Sequence, residues 1–283
     1  MFTSSLSLRI YELPDSKEPL KKRIPPIRVV GRAHEAPVHV CKADPTSTYL
    51  ASGSADGVVK VWDIIRGFVT HVFKGHGGVV SALAFSYPQD VGSIIQNKTM
   101  HLMTASVDTR IRIFNLVEGA STSSGGGKPE AVLEGHTSVP RGLDVSSDGR
   151  WLISGGRDSV VLIWDLFSSS KNLSITKEKN KNKNIRKTPT LVKTIPILER
   201  VEAVGLLRSD DDQFHSKTEF DQIRFYTGGE KGIIKIWDGS KGHVVQKFGE
   251  EEQTRSSAEL EEQRQIVDVL WVFLLNTSLT LLF

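Results

Sequence analysis

Apolar and polar residues alternate in short runs along most of the chain, and Gly, Asp or Ser interrupts each run. The segment 51–63, ASGSADGVVKVWD, is one example. Lys60 and Trp62 fall on one side of its alternation, and Val61 falls on the other. A period of two is the signature of a β-strand, and an Asp-Gly pair before it is typical of a tight hairpin turn. The pattern therefore predicts an antiparallel hairpin.

The same plan recurs along the chain. A short apolar stretch leads to Ser or Thr and small residues, and after a turn five alternating positions end in Trp or Phe and a polar residue. Repetition of one supersecondary unit predicts an all-β repeat fold. The four copies are ASGSADGVVKVWD (51–63), TASVDTRIRIFN (104–115), ISGGRDSVVLIWD (153–165) and YTGGEKGIIKIWD (226–238).

A second marker, a His preceded by Ala or Gly, stands upstream of the first three copies. The separation between His34 and Trp62 equals that between His136 and Trp164, which indicates one unit used repeatedly. The second copy is longer, and its extra residues fall at 87–100, a segment rich in turn-forming residues that is predicted to be a loop.

This Gly-His to Trp-Asp unit resembles the WD repeat, in which four antiparallel strands make one blade of a β-propeller. The resemblance implies an all-β WD-repeat propeller with about four to five blades of an incomplete ring, and we expect the chain to be a truncated form. The expected organisation is a partial propeller over 1–250, with repeats near 33–63, 75–115, 135–165 and 195–238, followed by a polar linker and apolar tail over 251–283.

In WD repeats a hydrogen-bonded tetrad of His, Ser or Thr, Asp and Trp holds each blade together. Burying an imidazole between a carboxylate and a hydroxyl satisfies polar groups that are otherwise costly to desolvate. The resemblance implies structural tetrads at His34, Ser52, Asp56 and Trp62, at His76, Thr104, Asp108 and Phe114, and at His136, Ser154, Asp158 and Trp164, with Thr227 and Trp237 remaining in the fourth repeat.

Two departures from the tetrad pattern bear on stability. Phe114 has no indole N–H to donate, and Lys231 stands where the fourth repeat should have Asp. That repeat also lacks an upstream Gly-His. We expect its blade to be the most loosely held, or to be stabilised by contacts that the sequence does not show.

His136, Ser154 and Asp158 match the residue types of a hydrolase triad, but the same set recurs once per repeat, which is typical of a structural element. The eight histidines show no close metal-ligand pairing. No catalytic, cofactor-binding or metal-binding residue is predicted. We expect a protein that is not an enzyme, with no cofactor and no small-molecule substrate.

Composition changes this picture little. The 283 residues are 39% hydrophobic and carry a net charge of +3, a mild basic excess that suits a ribonucleoprotein neighbour without requiring one. The one cysteine, Cys41, excludes an internal disulfide and a cysteine-clustered zinc site, and it fits a reducing intracellular compartment.

Three irregular segments carry weaker signals. Residues 171–187 are rich in Lys and Asn and are predicted to be a solvated insertion, with a nuclear-localisation or RNA-contacting patch as the alternative. The Gly-Lys pair within 118–131 lacks the spacing of a phosphate loop. The apolar run 266–283 is short for a membrane span and polar residues interrupt it. We expect it to be partly a strand of a further blade and partly non-native sequence at a truncation point, with no membrane partner; a membrane tail anchor is the alternative.

Two stretches narrow the resemblance. Residues 62–80 and 194–207 resemble the transducin beta-like family of the small-subunit processome, which belongs to the U3 small nucleolar ribonucleoprotein. The resemblance implies a non-catalytic scaffold in the nucleus and nucleolus that supports pre-ribosomal RNA processing and small ribosomal subunit biogenesis. The implied partners are other WD-repeat proteins of the processome, with U3 RNA and pre-rRNA contacted indirectly.

The alternative is a general WD-repeat adaptor, such as a ubiquitin-ligase substrate receptor or a signalling scaffold. Substrate receptors commonly carry Arg or Lys two positions after the Trp-Asp pair. Here those positions are Ile65, Phe167 and Ser240, which disfavours the receptor.

Overall fold

The computed structural model describes residues 6–11, 25–86, 100–117, 127–167, 188–207 and 219–249. Most of the predicted loop 87–100, the first part of the 118–131 loop, the 171–187 insertion and the 251–283 tail therefore lie outside the described residues. Within the described ranges the chain forms strands β1 to β18 and one 3-10 turn at Phe220–Gln222. None of the helical structure in these ranges has the length and apolarity to span a bilayer.

The strands form one two-stranded and four four-stranded antiparallel sheets. In each, strands that are consecutive along the chain pair with each other. The two-stranded sheet, the N-terminal pair, consists of β1 (Leu8–Tyr11) and β2 (Pro26–Val30). Blade 1 consists of β3 (Val38–Ala43), β4 (Tyr49–Ser54), β5 (Val59–Asp63) and β6 (Val69–Phe73).

The remaining three sheets follow in chain order. Blade 2 consists of β7 (Val80–Ser86), β8 (His101–Ser106), β9 (Ile111–Asn115) and β10 (Ala131–Leu133). Blade 3 consists of β11 (Pro140–Val145), β12 (Trp151–Gly156), β13 (Val160–Asp165) and β14 (Thr190–Pro196). Blade 4 consists of β15 (Val201–Leu206), β16 (Arg224–Gly229), β17 (Ile234–Asp238) and β18 (His243–Phe248).

The predicted hairpins are the second and third strands of the four blades. Each turns through a residue with positive φ, at 75° in Gly57, 66° in Thr109, 63° in Ser159 and 74° in Gly232. This region is open to glycine and strained for most other residues, so the turn geometry explains the glycines of blades 1 and 4 and places strain at Thr109 and Ser159.

The core lies between successive sheets rather than inside any one of them. Met103 and Ile113 of blade 2 pack with Leu152 and Trp164 of blade 3 in one buried cluster. Equivalent clusters join blade 1 to blade 2, blade 3 to blade 4, and the N-terminal pair to blade 1. Each sheet therefore buries its apolar faces against its neighbours in sequence order.

The first strands of the blades approach one another closely around a central cavity. A Cβ added to Gly142 of blade 3 would lie 2.7 Å from Cγ1 and 2.8 Å from the backbone nitrogen of Val204 in blade 4. The cavity, of about 270 Å³, is lined by β3, β7, β11 and β15 and by residues of β16 and β17. Four blades and a two-stranded part of a fifth around a common centre form an incomplete β-propeller, which confirms the predicted fold class.

Candidate functional site

Blade 3 brings together all four residues of its implied tetrad. Trp164 Nε1 donates to Ser154 Oγ at 3.1 Å, and Ser154 Oγ lies 2.8 Å from His136 Nε2. His136 Nδ1 lies 2.8 Å from Asp158 Oδ2, which also accepts the backbone N–H of Thr137 at 2.9 Å. The side chains of His136 and Asp158 are only 1% and 5% exposed. The tetrad is thus an internal network.

The donors and acceptors of this network run in one direction. Because the indole can only donate, the Ser154 hydroxyl uses its own proton toward His136 Nε2, and His136 Nδ1–H then points to Asp158. Burial lowers the pKa of His136, and the nearby Asp158 carboxylate opposes that shift. A neutral imidazole with its proton on Nδ1 satisfies the indole N–H, the Ser154 hydroxyl and both ring nitrogens, whereas Asp158 Oδ1 is buried without a hydrogen-bond partner.

The geometry of Ser154 does not suit nucleophilic attack. Its side chain lies in a residue with 0% exposure, and its hydroxyl is held between the indole of Trp164 and the imidazole of His136. A nucleophile must reach a substrate carbonyl with its oxygen. The arrangement can hold strands together, but it presents no reacting atom to a substrate.

Blade 1 assembles three of its four predicted residues. His34 Nε2 lies 2.8 Å from Ser52 Oγ, which also accepts the indole N–H of Trp62 at 2.8 Å. Asp56 stands 3.9 Å from His34 Nδ1, beyond hydrogen-bond distance, and that nitrogen has no partner. Burial and then the neighbouring Lys60 lower the pKa of His34 to about 4, against the opposing effect of Asp56. The imidazole is neutral.

Blade 2 keeps the His, the hydroxyl and the Asp of the tetrad but connects them differently. His76 Nε2 lies 2.7 Å from Thr104 Oγ1, and Nδ1 lies 3.2 Å from Asp108 Oδ2. Arg112 Nη1 donates to Asp108 Oδ2 at 2.7 Å and also to His76 Nδ1. Burial, followed by Arg112, lowers the pKa of His76 to about 4, and Asp108 opposes this. Arg112 is thus a fifth member that the tetrad pattern did not include.

The Arg112 contact reverses the hydrogen-bond direction in blade 2. If His76 Nδ1 accepts from Arg112, the imidazole proton resides on Nε2 and points to Thr104. Thr104 is free to accept it because Phe114 offers no indole donor, and the threonine hydroxyl lies 3.4 Å from the carbonyl oxygen of Arg112. Phe114 instead stacks on Phe73 with ring centroids 4.3 Å apart.

The Asp108 carboxylate is stabilised in its charged form. Burial acts to raise its pKa, but the backbone N–H of Gly77, the guanidinium of Arg112 and nearby His76 outweigh burial and lower that pKa to about 2. Asp108 therefore stays charged beside the cation.

Blade 4 keeps the hydroxyl and the indole and replaces the rest of the tetrad. Trp237 Nε1 donates to Thr227 Oγ1 at 2.9 Å. Ile197, 2% exposed, stands ahead of β15 where His136 stands ahead of β11. Lys231 is exposed at the tip of the β16–β17 turn. The predicted loss of the His and Asp therefore has a direct structural counterpart.

A buried ion pair fills the vacated volume. Lys235 Nζ of β17 donates to Glu199 Oε1, and the two side chains are 18% and 5% exposed. A Cβ added to Gly229 would collide with Glu199 Oε2, and a Cβ added to Gly156, which holds the same register in blade 3, would meet Asp158 Oδ1 at 2.8 Å. Glu199 thus occupies the place of the blade 3 carboxylate.

Arg112, Glu199 and Lys235 were not predicted from the sequence, although a signal for two of them exists. The position two residues before the aromatic of each repeat faces the tetrad. It is a cation in the three blades with a divergent network, at Lys60, Arg112 and Lys235, and it is Leu162 in the blade with a complete tetrad. In blade 1 the cation donates to a backbone carbonyl, since Lys60 Nζ lies 2.6 Å from the oxygen of Ala33.

No group of three or more His, Cys, Asp or Glu side chains is placed to hold a metal ion among the residues that the structure describes. The tetrads and the ion pairs beside them are internal clusters of polar side chains. Their geometry points to a structural rather than a chemical role.

Comparison with known families fits this architecture. The family model for the WD domain, G-beta repeat, matches residues 26–63, 67–115 and 127–165, which contain strands β2 to β13 and therefore all of blades 1 and 2 and the first three strands of blade 3. Together with the repeated four-stranded sheets and their internal tetrads, this match defines the class: residues 26–165 carry WD repeats, and the chain has the fold of an incomplete WD-repeat propeller.

Individual relatives narrow the likeness further. The chain is 33% identical to Transducin beta-like protein 3 of Bos taurus and of Homo sapiens, and 31% identical to U3 small nucleolar RNA-associated protein 13 of Saccharomyces cerevisiae. Each alignment covers 75% of this chain and 22% of the relative. The chain therefore spans about a fifth of the length of the curated relatives it matches.

Proposed function

We propose that this chain is a non-catalytic scaffold of a nucleolar U3 ribonucleoprotein, the small-subunit processome, and supports pre-ribosomal RNA processing and small ribosomal subunit biogenesis. The observation that carries the proposal is its similarity, over three quarters of its length, to a yeast protein named for its association with U3 small nucleolar RNA. Its partners would be other WD-repeat proteins, with U3 RNA and pre-rRNA contacted through them.

The architecture supports binding rather than chemistry. The polar residues that resemble catalytic groups lie inside the blades, where Ser52, Thr104 and Ser154 are fully buried. The turns and connectors at the ends of the strands remain exposed, and rigid sheets that present several loops are suited to contacting more than one protein. The tetrads would contribute by holding those loops in place.

The test is recovery of U3 RNA by the intact chain. The 283-residue chain, tagged and expressed in cultured cells, is purified from nuclear extract, and U3 RNA is quantified against U6 small nuclear RNA and 5S ribosomal RNA. We expect selective enrichment of U3 together with WD-repeat proteins of the processome. Recovery of U3 no greater than that of the two control RNAs would refute the proposal.

A second arm separates direct from indirect RNA contact. Treating the bound complex with ribonuclease should leave the protein partners attached if the chain holds RNA through them. Loss of all protein partners would show that RNA bridges them to the chain, contrary to the indirect contact proposed.

A further inference from the structure

One large apolar side chain in the described part of the chain is almost fully exposed to solvent. Leu198, in the connector that enters blade 4, is 89% exposed, the highest value among the large hydrophobic residues described. Its backbone has φ of 64°, in the left-handed region that leucine rarely adopts. No burial offsets that strain, so the connector holds a leucine side chain in water at an energetic cost.

The flanks of Leu198 are firmly attached. The N–H of Ile197 donates to the carbonyl of Ser159 in the β12–β13 turn of blade 3 at 2.9 Å. The carbonyl of Arg200 accepts the N–H of Glu230 in the β16–β17 turn of blade 4 at 3.2 Å. The buried pair of Glu199 and Lys235 fixes the residue in between. Leu198 is therefore held between two turns by contacts on both sides, and its exposure is not that of a loose loop.

The surroundings of Leu198 are mainly cationic. On the two turns and the connector, the exposed charged residues are Arg157, Arg200, Lys231 and a single carboxylate, Glu230. Glu230 lies 3.8 Å from Arg200, and Arg157 binds Glu202 of β15 at 2.9 Å. Lys231 takes the place that Asp fills in the other blades and projects into solvent instead. An apolar projection among cations complements a partner with an apolar residue beside carboxylates.

We propose that Leu198, with Arg157, Arg200 and Lys231, forms a docking site across the ends of blades 3 and 4 for an extended protein segment that carries a bulky apolar residue flanked by Asp or Glu. A protein segment is favoured over RNA because the two turns and the connector contain no aromatic side chain on which a base could stack. The proposal rests on the scaffold function above only for the setting in which such a partner occurs.

Fluorescence polarisation with defined probes tests the site. The probes are a fluorescein-labelled peptide with a central Leu-Phe pair between runs of glutamate, the same peptide with lysine in place of glutamate, and single-stranded oligouridine. We expect saturable binding of the glutamate peptide that weakens as salt is raised, and no binding of the lysine peptide. Absence of saturable binding by the glutamate peptide, or tighter binding of oligouridine, overturns the proposal.

Variants assign the binding to the site. Leu198→Ser and Lys231→Glu should each weaken the glutamate peptide about tenfold or more. Ile65→Ser is the matched control, because Ile65 is 77% exposed in the β5–β6 turn of blade 1 and should leave affinity unchanged. Equal losses in the control and in Leu198→Ser would show that binding is unspecific and would overturn the proposal.

Leu198→Asn separates binding from folding. Asparagine tolerates the left-handed region, so this variant should keep or raise the Tm while it loses the peptide. A variant that retains the peptide with full affinity contradicts the site.

If the wild-type chain recovers no U3 RNA but binds the glutamate peptide in a Leu198-dependent way, the scaffold function fails and the docking site stands. Recovery of U3 without peptide binding supports the scaffold function and overturns the docking site.

Discussion

Single residues decide how each tetrad works, since the same four positions make different networks. In blade 3 the Asp158 carboxylate touches the imidazole, in blade 1 Asp56 stands 3.9 Å away, and in blade 2 Arg112 donates to both His76 and Asp108. The residue types alone predict the His to hydroxyl contact, which all three blades make. Residue types do not determine the difference in His to Asp distance between the blades, which is 2.8 Å in blade 3 and 3.9 Å in blade 1.

Removing the tetrad carboxylate should therefore lower the free energy of unfolding more in blade 3 than in blade 1. Asp158→Ala leaves the buried His136 Nδ1 proton unsatisfied and should lower the free energy of unfolding by about 1 to 3 kcal/mol. Asp56→Ala is the matched control and should lower it less, since Asp56 makes no hydrogen bond to His34. Chemical denaturation of both variants measures the difference. Equal losses would contradict the distinct geometry of the two blades.

The histidine tautomers provide a second test at this scale. His136 should carry its proton on Nδ1 and His76 on Nε2, because Trp164 donates into one network and Arg112 into the other. Long-range 1H–15N correlation spectra of histidine-labelled protein distinguish the two nitrogens. The same tautomer in both residues would show that Arg112 does not set the hydrogen-bond direction.

The buried imidazoles also predict a pH dependence of stability. The pKa values of His34 and His76 are lowered from the ordinary value of 6.5 to about 4, so between those values the unfolded chain binds more protons. The free energy of unfolding should therefore fall as pH drops from about 6.5 toward 4. The lowered pKa of Asp108, about 2, adds stability that is lost only at still lower pH.

Calorimetry at about pH 7.5, 6 and 5 measures this trend as a falling Tm. His34→Gln should reduce the slope of Tm against pH, because that variant removes one of the titrating groups. A Tm that stays constant across this range would contradict the buried, neutral state of the histidines.

At the scale of the element, blade 4 shows how a sheet loses half of its tetrad and keeps its form. The Glu199 and Lys235 pair occupies the vacated space and links the connector to β17. The sequence predicts either loose attachment of this blade or contacts that the repeat pattern does not show, and the ion pair is such a contact. Whether blade 4 is loosely attached or stabilised by this contact stays a prediction.

The ion pair predicts that the stability effects of substitutions at Glu199 and Lys235 are not additive. Lys235→Met leaves the Glu199 carboxylate buried without its partner and should cost about 3 to 5 kcal/mol. The double variant Glu199→Leu with Lys235→Met should cost less than this single change, because it removes both charges together. Thermal and denaturant unfolding of the set gives the coupling. Simple additivity of the two changes would argue against a buried, coupled pair.

The predictability of the elements follows the range of their interactions. The hairpins β4–β5, β8–β9, β12–β13 and β16–β17 follow from local alternation and turn residues, and the structure contains all of them. The role of Glu199 was not predictable, because its partner Lys235 lies in a different element and Glu199 itself does not belong to the repeat pattern. Tertiary contacts of this kind carry no periodic signal.

At the scale of the whole molecule, close packing near the centre joins the blades. Gly142→Ala would drive a Cβ against the backbone of Val204 in the neighbouring blade and should lower the Tm markedly. Gly31→Ala is the matched control, since a Cβ there meets no atom within 4 Å. A Tm for Gly142→Ala equal to that of the control would show that blades 3 and 4 can separate without loss of stability.

That close approach at the centre has a geometric consequence. The first strands carry small residues such as Gly142, Ala82 and Ala203, whereas the third strands carry Trp62, Trp164 and Trp237. Each blade is thus wedge-shaped, thin toward the centre of the propeller and thick toward the outside. The difference in side-chain volume between the first and third strands sets the angle between neighbouring blades. The curvature of the propeller is therefore encoded in residue volumes rather than in any single bond.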